Sequence, residues 1–258
     1  MMWLMWLLLL LTLFFITCYL LLVFPTWWVK IVRVKTPLGL NKTILQISDL
    51  HVEKLRVSPK RLQKFIKREN IDYIFLTGDY IDKMWALSKL ESYLNVLKES
   101  TIPVFAVLGN HDYRLSNIDS LKILFDMYHI KLLENETVPL DGFILLGIDP
   151  YRGKWNQVIQ KYREHPYNEP LIILCHDPNY FDYIRLTFAL GLAGHFHGRQ
   201  INIPILFKLR PMGPLPAKGI YTGKHHLANG ELYISNGLGQ TKWNIRFLVR
   251  SEMTIHKV

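Results

Sequence analysis

The chain has 258 residues, 50% of them hydrophobic, with 31 Lys and Arg against 21 Asp and Glu and a formal charge of +10. That length holds one large α/β domain with a substantial core, and the basic excess favours polyanionic partners: nucleic acid, anionic lipid or phosphorylated substrates. Its two cysteines, Cys18 and Cys175, exclude a disulfide framework and a C-x-x-C metal pair, and there is no internal repeat.

The hydrophobic excess is local. Residues 1–29 carry no charged side chain, so the whole formal charge lies on residues 30–258. Met1 to Phe24 is nearly all Leu, Phe, Met, Trp, Ile and Val, and a membrane span needs about 20 such residues. Trp3 and Trp6 stand at one end and Trp27 and Trp28 at the other, as interfacial aromatics do. A cleaved signal peptide would want a basic leader, a shorter apolar core and small residues at the cleavage point. Leu21-Leu22-Val23-Phe24-Pro25 is bulky, so the expectation is an uncleaved anchor over 1–29 followed by one domain over 30–258. No Lys or Arg precedes the span, whereas Lys30, Arg33 and Lys35 follow it directly and Lys42 comes soon after. The positive-inside bias then describes a single-pass protein of the cell membrane with its domain in the cytoplasm.

Val34 to Asn41, with Pro37 and Gly39, reads as a connector. Ile44 to Ser48 is an apolar run with strand character. Ser58 suits an N-cap and Pro59 the first helical position, and Leu62, Phe65 and Ile66 give the following helix an apolar stripe. The crossover to Tyr73–Thr77 predicts a parallel pair. A second helix over Met84–Glu99 leads to a strand over Val104–Leu108. Ser120 to Tyr128 reads as helix, and Thr137–Leu140 and Ile144–Ile148 as strands of a second sheet. Tyr162 to Pro170 is polar and loop-like. Leu171–Cys175 and Phe188–Ala193 are again buried-type strands. Ile201 to Tyr221 is rich in Pro and Gly, with Leu206, Phe207 and Leu215 expected to be exposed. Glu231–Ser235 and Phe247–Ile255 close the domain as strands.

The apolar runs end alike. The first delivers Asp49-Leu50-His51, the next Gly78-Asp79, the next Gly109-Asn110-His111-Asp112, then His176-Asp177, then Gly194-His195-Phe196-His197. Open α/β sheets place ligand sites at the carboxyl ends of their strands, and Gly78, Gly109 and Gly194 suit the tight turns required there. Asp and His without cysteine bind borderline and hard divalent metals, such as Mn, Fe, Zn, Co or Ni. Histidines outside these blocks are ordinary surface or core residues: His129, His165 and His256 receive no role, and His225-His226 reads as loop. Asp82 and Asp149 could each orient a metal-binding side chain from behind, though strand-end caps are the preferred reading, and Asp177 is a turn residue or an orienter of His176.

Taken in order, D-x-H, G-D, G-N-H-D, H and G-H-x-H resemble the calcineurin-like metallophosphoesterases, from about Ile44 to Val258. The last block, G-H-F-H-G-R-Q, is similar to a membrane-associated bacterial branch. The resemblance implies an α/β fold of two facing mixed β-sheets flanked by helices. It implies two divalent metal ions, one on Asp49, His51 and His197, the other on Asn110, His176 and His195, with Asp79 bridging both. It also implies that His111 is not a ligand but faces the leaving group, and Asp112 is expected to orient its imidazole. Two dications (+4) against Asp49 and Asp79 (−2) leave a site of about +2, which calls for an anionic phosphorylated substrate.

The expected function is a membrane-anchored binuclear hydrolase of phosphoester or pyrophosphate bonds. Its substrate would be lipid-like or a nucleotide-linked lipid of the UDP-2,3-diacylglucosamine type, given the anchor, the basic domain and the apolar Ile201–Leu215 segment. One alternative is a tethered phosphodiesterase of soluble nucleotides or nucleic acid; the scattered Lys and Arg read equally well as a solvated surface that aids solubility, and nucleic acid is the less favoured partner. The other is a non-catalytic, metal-stabilised binding scaffold, which would want a damaged ligand set, whereas every block here is filled. Nothing in the sequence sets the oligomeric state.

Overall fold

Two six-stranded sheets face each other, and the helices lie against their outer faces. This is seen in a computed structural model that describes residues 1–164, 168–203 and 211–258. The first sheet has the order β1 (Lys30–Lys35), β12 (Glu252–Lys257), β2 (Thr43–Ile47), β3 (Tyr73–Thr77), β4 (Val104–Val107), β5 (Ile130–Leu132). Only its β12–β2 pair is antiparallel. The second sheet has the order β10 (Gly223–Leu227), β11 (Gly230–Ile234), β9 (Leu190–Ala193), β8 (Leu171–Cys175), β7 (Phe143–Ile148), β6 (Glu136–Leu140). Its antiparallel pairs are β10–β11 and β7–β6.

The continuous apolar runs follow from burial on both faces. In β3, Phe75 packs between the sheets while Ile74 and Leu76 pack outward under α2 (Pro59–Ile66) and α3 (Leu87–Glu99). In β8, Ile172 and Leu174 face the first sheet while Leu171, Ile173 and Cys175 face α5 (Trp155–Glu164). The period of two along a strand makes each side chain choose one layer. Helix α2 starts as its sequence predicts, with Ser58 accepting from the Arg61 N–H and Pro59 in the first turn. The fourth helix, α4 (Ile118–Met127), crosses from β4 to β5.

Several elements differ from the sequence reading. The Val34–Asn41 connector is partly strand, because β1 takes Val34 and Lys35 into a parallel pair with β12. The loop expected from Tyr162 begins instead inside α5, whose Ile159 and Tyr162 are buried against the second sheet. His225 and His226 lie in the edge strand β10 rather than a loop. Leu215 is buried, not exposed, in a helical turn over Pro214–Ala217 where its N–H donates to Asn179 Oδ1 at 3.2 Å. Leu206, Phe207 and His165 lie outside the described residues. The closing strand begins only at Glu252, five residues later than Phe247.

At the N-terminus, α1 (Met2–Cys18) continues through a wider turn over Tyr19–Val23 and a tighter one over Phe24–Thr26. Together they form one 25-residue helix, Met2–Thr26, long and apolar enough to cross a membrane, with none of its most apolar stretch covered by protein.

Candidate metal centre

The parallel strands β2, β3, β4, β8 and β9 end on one rim of the sandwich, and the turns after them carry all the residues singled out from the sequence. Asp49, His51, Asp79 and His197 place one donor atom each within 4.8 Å of one another, and so do Asp79, His176 and His195. Asp79 belongs to both groups. Asn110 lines the same cavity, beside Asp79, His195 and His197.

The turns that achieve this are tight. Asp49, His51, Asp79, His195 and His197 all take positive φ, between 37° and 75°. Non-glycine residues rarely adopt such φ, and where they do the surroundings must hold them there. Close approach of neighbouring turns explains two of the glycines: a Cβ at Gly109 would collide with the Asp79 carboxylate, and one at Gly194 with Ser48 and Asp49.

Hydrogen bonds aim the donors. The His176 Nδ1–H donates to the Thr77 carbonyl at 2.7 Å, leaving Nε2 3.2 Å from Asp79 Oδ2. His51 Nδ1 meets Asp82 Oδ1 at 2.8 Å, leaving its Nε2 3.6 Å from Asp79 Oδ2. His197 Nε2 lies 3.3 Å from Asp49 Oδ1. The Asp49 carboxylate accepts from Ser48 Oγ at 2.5 Å and from the His195 N–H at 3.1 Å. The second-sheet turn is thereby tied to the first. With one imidazole nitrogen occupied by a fixed partner, the other is presented as a metal ligand in a set tautomer.

The electrostatics suit a cation. Burial disfavours the charged form of Asp79, but His176, His51 and His111 outweigh it and hold the carboxyl well below the usual range. Burial likewise opposes charge on His176, yet the adjoining Asp79 pushes it up to about 10. Burial brings His197 down to about 3, so its imidazole is neutral and able to donate a lone pair. Two atoms bear on the fit to metal directly: His51 Nε2 and Asn110 Oδ1 are buried with no hydrogen-bond partner among the described residues. A buried polar atom without a partner is costly, and a cation held in this cluster would supply one to His51 and Asn110.

Two side chains differ from the sequence reading. Asp112 does not touch the His111 imidazole; its fully buried carboxylate accepts from the backbone N–H groups of Gly109 at 2.8 Å and of Asp79 and Tyr80 at 2.9 Å. It therefore welds the β3 and β4 turns together. The partner of His111 is Asp82, whose Oδ1 lies 2.8 Å from both His111 Nδ1 and His51 Nδ1. Burial opposes its ionisation, but these two histidines hold the Asp82 carboxyl low. Asp82 thus takes the lesser of its two sequence readings, and Arg114 was missed: its Nη1 stands 3.4 Å from His111 Nε2 on the wall of the cavity. The signal for Asp82 was its place three residues after Asp79, in the same loop, and for Arg114 its position just beyond the G-N-H-D block. Asp149 caps its own turn by accepting from the Tyr151 N–H, as the sequence suggested. His256 is buried between the sheets, 3.0 Å from Gln46 Oε1.

The cavity over this cluster holds about 700 Å³. Lys54, Lys83 and Arg114 give its wall positive charge, and Ile201, Met212 and Trp243 give it an apolar side.

A family model described as calcineurin-like phosphoesterase matches residues 42–210. The chain is 37% identical over 226 residues to the uncharacterized metallophosphoesterase YkoQ of Bacillus subtilis (strain 168), with 83% of each chain covered. It is 26% identical over 243 residues to a Danio rerio transmembrane protein with metallophosphoesterase domain, covering 85% of this chain and 54% of that one. Among solved structures, a dimetal phosphatase from Danio rerio superposes over 77% of this chain and 88% of its own, with 13% identity and a TM-score of 0.43.

Proposed function

This chain belongs to the calcineurin-like phosphoesterase family and is a metal-dependent phosphoester hydrolase; we propose that it works at a membrane, with two divalent cations, on a lipid-like phosphoester or pyrophosphate. Asp49, His51 and His197 would hold one cation, Asn110, His176 and His195 the other, with Asp79 available to both. The observation that carries the metal part of this reading is that His51 Nε2, in the Asp79 cluster, and Asn110 Oδ1, on the wall of the same cavity, are buried with no hydrogen-bond partner among the described residues. When bound, such a cation pair supplies Lewis-acid activation of water and of the phosphoryl group.

The chain's own residues do the rest. Arg114, Lys54 and Lys83 draw an anionic phosphoryl group into the cavity and neutralise charge that builds on it. His111, held through Nδ1 by Asp82, faces the leaving oxygen through Nε2; once protonated there and released from the Arg114 guanidinium, it gives that oxygen a proton. Asp112 fixes the turns that carry Asp79 and Asn110. The apolar wall of Ile201, Met212 and Trp243 takes the hydrocarbon part of an amphiphile.

The test is a hydrolysis screen on the metal-loaded full chain, with a chromogenic diester, a lipid pyrophosphate and a cyclic nucleotide. Turnover of the first two, abolished by chelation, is the expected result. Turnover of the cyclic nucleotide alone would replace the lipid reading with a tethered nucleotide phosphodiesterase.

A further inference from the structure

One short segment, residues 241–250, both rims the cavity and holds the end of the membrane helix. On the cavity side, Gln200 Nε2 donates to the carbonyls of Thr241 and Trp243 at 3.0 and 2.9 Å, and Trp243 lines the cavity wall. On the helix side, the Arg246 N–H donates to the Leu22 carbonyl at 2.8 Å. Arg250 Nε donates to the Trp28 carbonyl at 2.9 Å, and its guanidinium lies 3.7 Å over the Trp28 ring. The next residue, Ser251, closes the junction by donating its N–H to the Pro25 carbonyl at 3.0 Å. A loose tether makes no such contacts; here the helix end is fixed to the rim of the site.

The contact with Leu22 sets a depth. Leu22 precedes Thr26, the last residue of the helix, by four positions, which at about 1.5 Å per residue is roughly 6 Å further toward the bilayer. The segment thus climbs one helical turn past the point where the chain leaves the helix. Its exposed side chains suit that level. Trp243 is 68% exposed and Leu248 is 66% exposed, with Lys242 and Arg250 beside them in the sequence. Leu248 is held at a φ of 56°, an unusual conformation for a bulky side chain presented to water. Large apolar side chains flanked by cations are the pattern of a surface seated in anionic headgroups.

We propose that residues 241–250 sit in the headgroup layer of the membrane that holds the protein's own helix, with Trp243 and Leu248 at the acyl boundary. The cavity then opens along the bilayer surface, and its substrate is an amphiphile that stays embedded while its phosphoester reaches the metal cluster. This rests on the hydrolase reading above and narrows its substrate to one presented by the bilayer.

Two measurements on the full chain in phosphatidylglycerol–phosphatidylcholine vesicles test it. In the first, a nitroxide is attached at Leu248→Cys in a Cys18→Ser background, with Ile123→Cys on α4, beside the opposite edge of the first sheet, as reference. The label at 248 should be relaxed by oxygen and shielded from a water-soluble nickel chelate, and the label at 123 the reverse. Equal access of the chelate to both overturns the seating. In the second, Leu248→Asn, a residue that tolerates this backbone conformation, should lower turnover of a diacylglycerol pyrophosphate in the vesicle by about tenfold or more. Turnover of a soluble nitrophenyl diester should stay within about twofold, since Leu248 does not line the cavity. Equal losses on both substrates overturn the proposal. If the unmutated chain turned over neither substrate, the hydrolase reading would fall, and the label would still decide the seating.

Discussion

The Arg246 guanidinium donates through Nη1 to the carbonyl of His197 at 3.2 Å, so a wholly buried cation props the loop that carries a proposed metal ligand. The same guanidinium also donates to the carbonyls of Asn236, Gly237, Gly239 and Arg250, and no carboxylate pairs with it among the described residues. Burial draws its pKa down to about 10, leaving it charged at neutral pH. Because its backbone N–H bonds Leu22, one residue joins the helix end to the metal loop. Arg246→Lys keeps the charge but loses the planar fork. Each carbonyl left without a donor costs about 1–3 kcal/mol. A fall in the thermal midpoint of the detergent-solubilised chain is expected, together with weaker retention of one cation. An unchanged midpoint would mean that water replaces the fork at no cost.

Asp79→Asn should weaken both cations together, because the only carboxylate common to the two donor groups loses its charge. Metal analysis after dialysis is the check. Retention of two tightly held ions would remove Asp79 from the shared position.

His111 and Asp82 separate chemistry from metal binding. His111→Ala should lower turnover by about 10²–10⁴-fold with metal content intact. The loss should shrink for a nitrophenyl leaving group, which needs no proton. Asp82→Ala should do both: it releases His111 and also His51, whose Nδ1 it holds at 2.8 Å, and removing such a partner costs about 10–100-fold in metal affinity. Equal losses on all substrates for His111→Ala would exclude a proton-donor role, and lost metal would make His111 a ligand.

How much of this was legible in the chain depends on whether a signal was local. The buried strands were, because Phe75 or Ile172 has apolar neighbours on both sides and the whole run is apolar. So were the turns that bring the Asp and His side chains together, since each follows its strand within a few residues. Three of the four edge strands were not: β1 is half Lys and Arg, β10 is mostly polar and β5 has only three residues, so they owe their pairing to β12, β11 and β4, whereas the β6 edge was legible from Thr137 to Leu140. The orienting group of His111 was misread because nearness in sequence favoured Asp112. Asp112 is drawn inward by three backbone donors, while Asp82 arrives from the β3 turn. Leu215 is buried by partners far away in sequence: its side chain packs in the core with Phe181 and Ile184, and its N–H meets Asn179.

The remaining prediction concerns the side of the membrane on which the site lies. Lys30 and Lys35 are exposed immediately after the helix, and Arg33 pairs with Glu69 at 2.7 Å. That pair leaves the expected orientation unchanged, since acidic residues contribute little to the positive-inside bias. Each Lys or Arg close to an anionic cytoplasmic leaflet adds about 1 kcal/mol, and Lys242 and Arg250 add to the same face if the 241–250 segment seats as proposed. The domain from Lys30 onward is therefore expected in the cytoplasm. Val258 is buried at the end of β12 and its N–H donates to the Lys42 carbonyl at 3.0 Å, so a reporter needs a flexible Gly/Ser linker after it. A fluorescent protein that matures only inside should glow, and an alkaline phosphatase active only outside should be silent. Replacing Lys30, Arg33 and Lys35 together with Gln should raise the phosphatase signal. A strong phosphatase signal from the unaltered chain would reverse the orientation and move the substrate to phosphates of the outer envelope. A mature protein beginning near Lys30 would remove the anchor, and with it the membrane seating of the cavity.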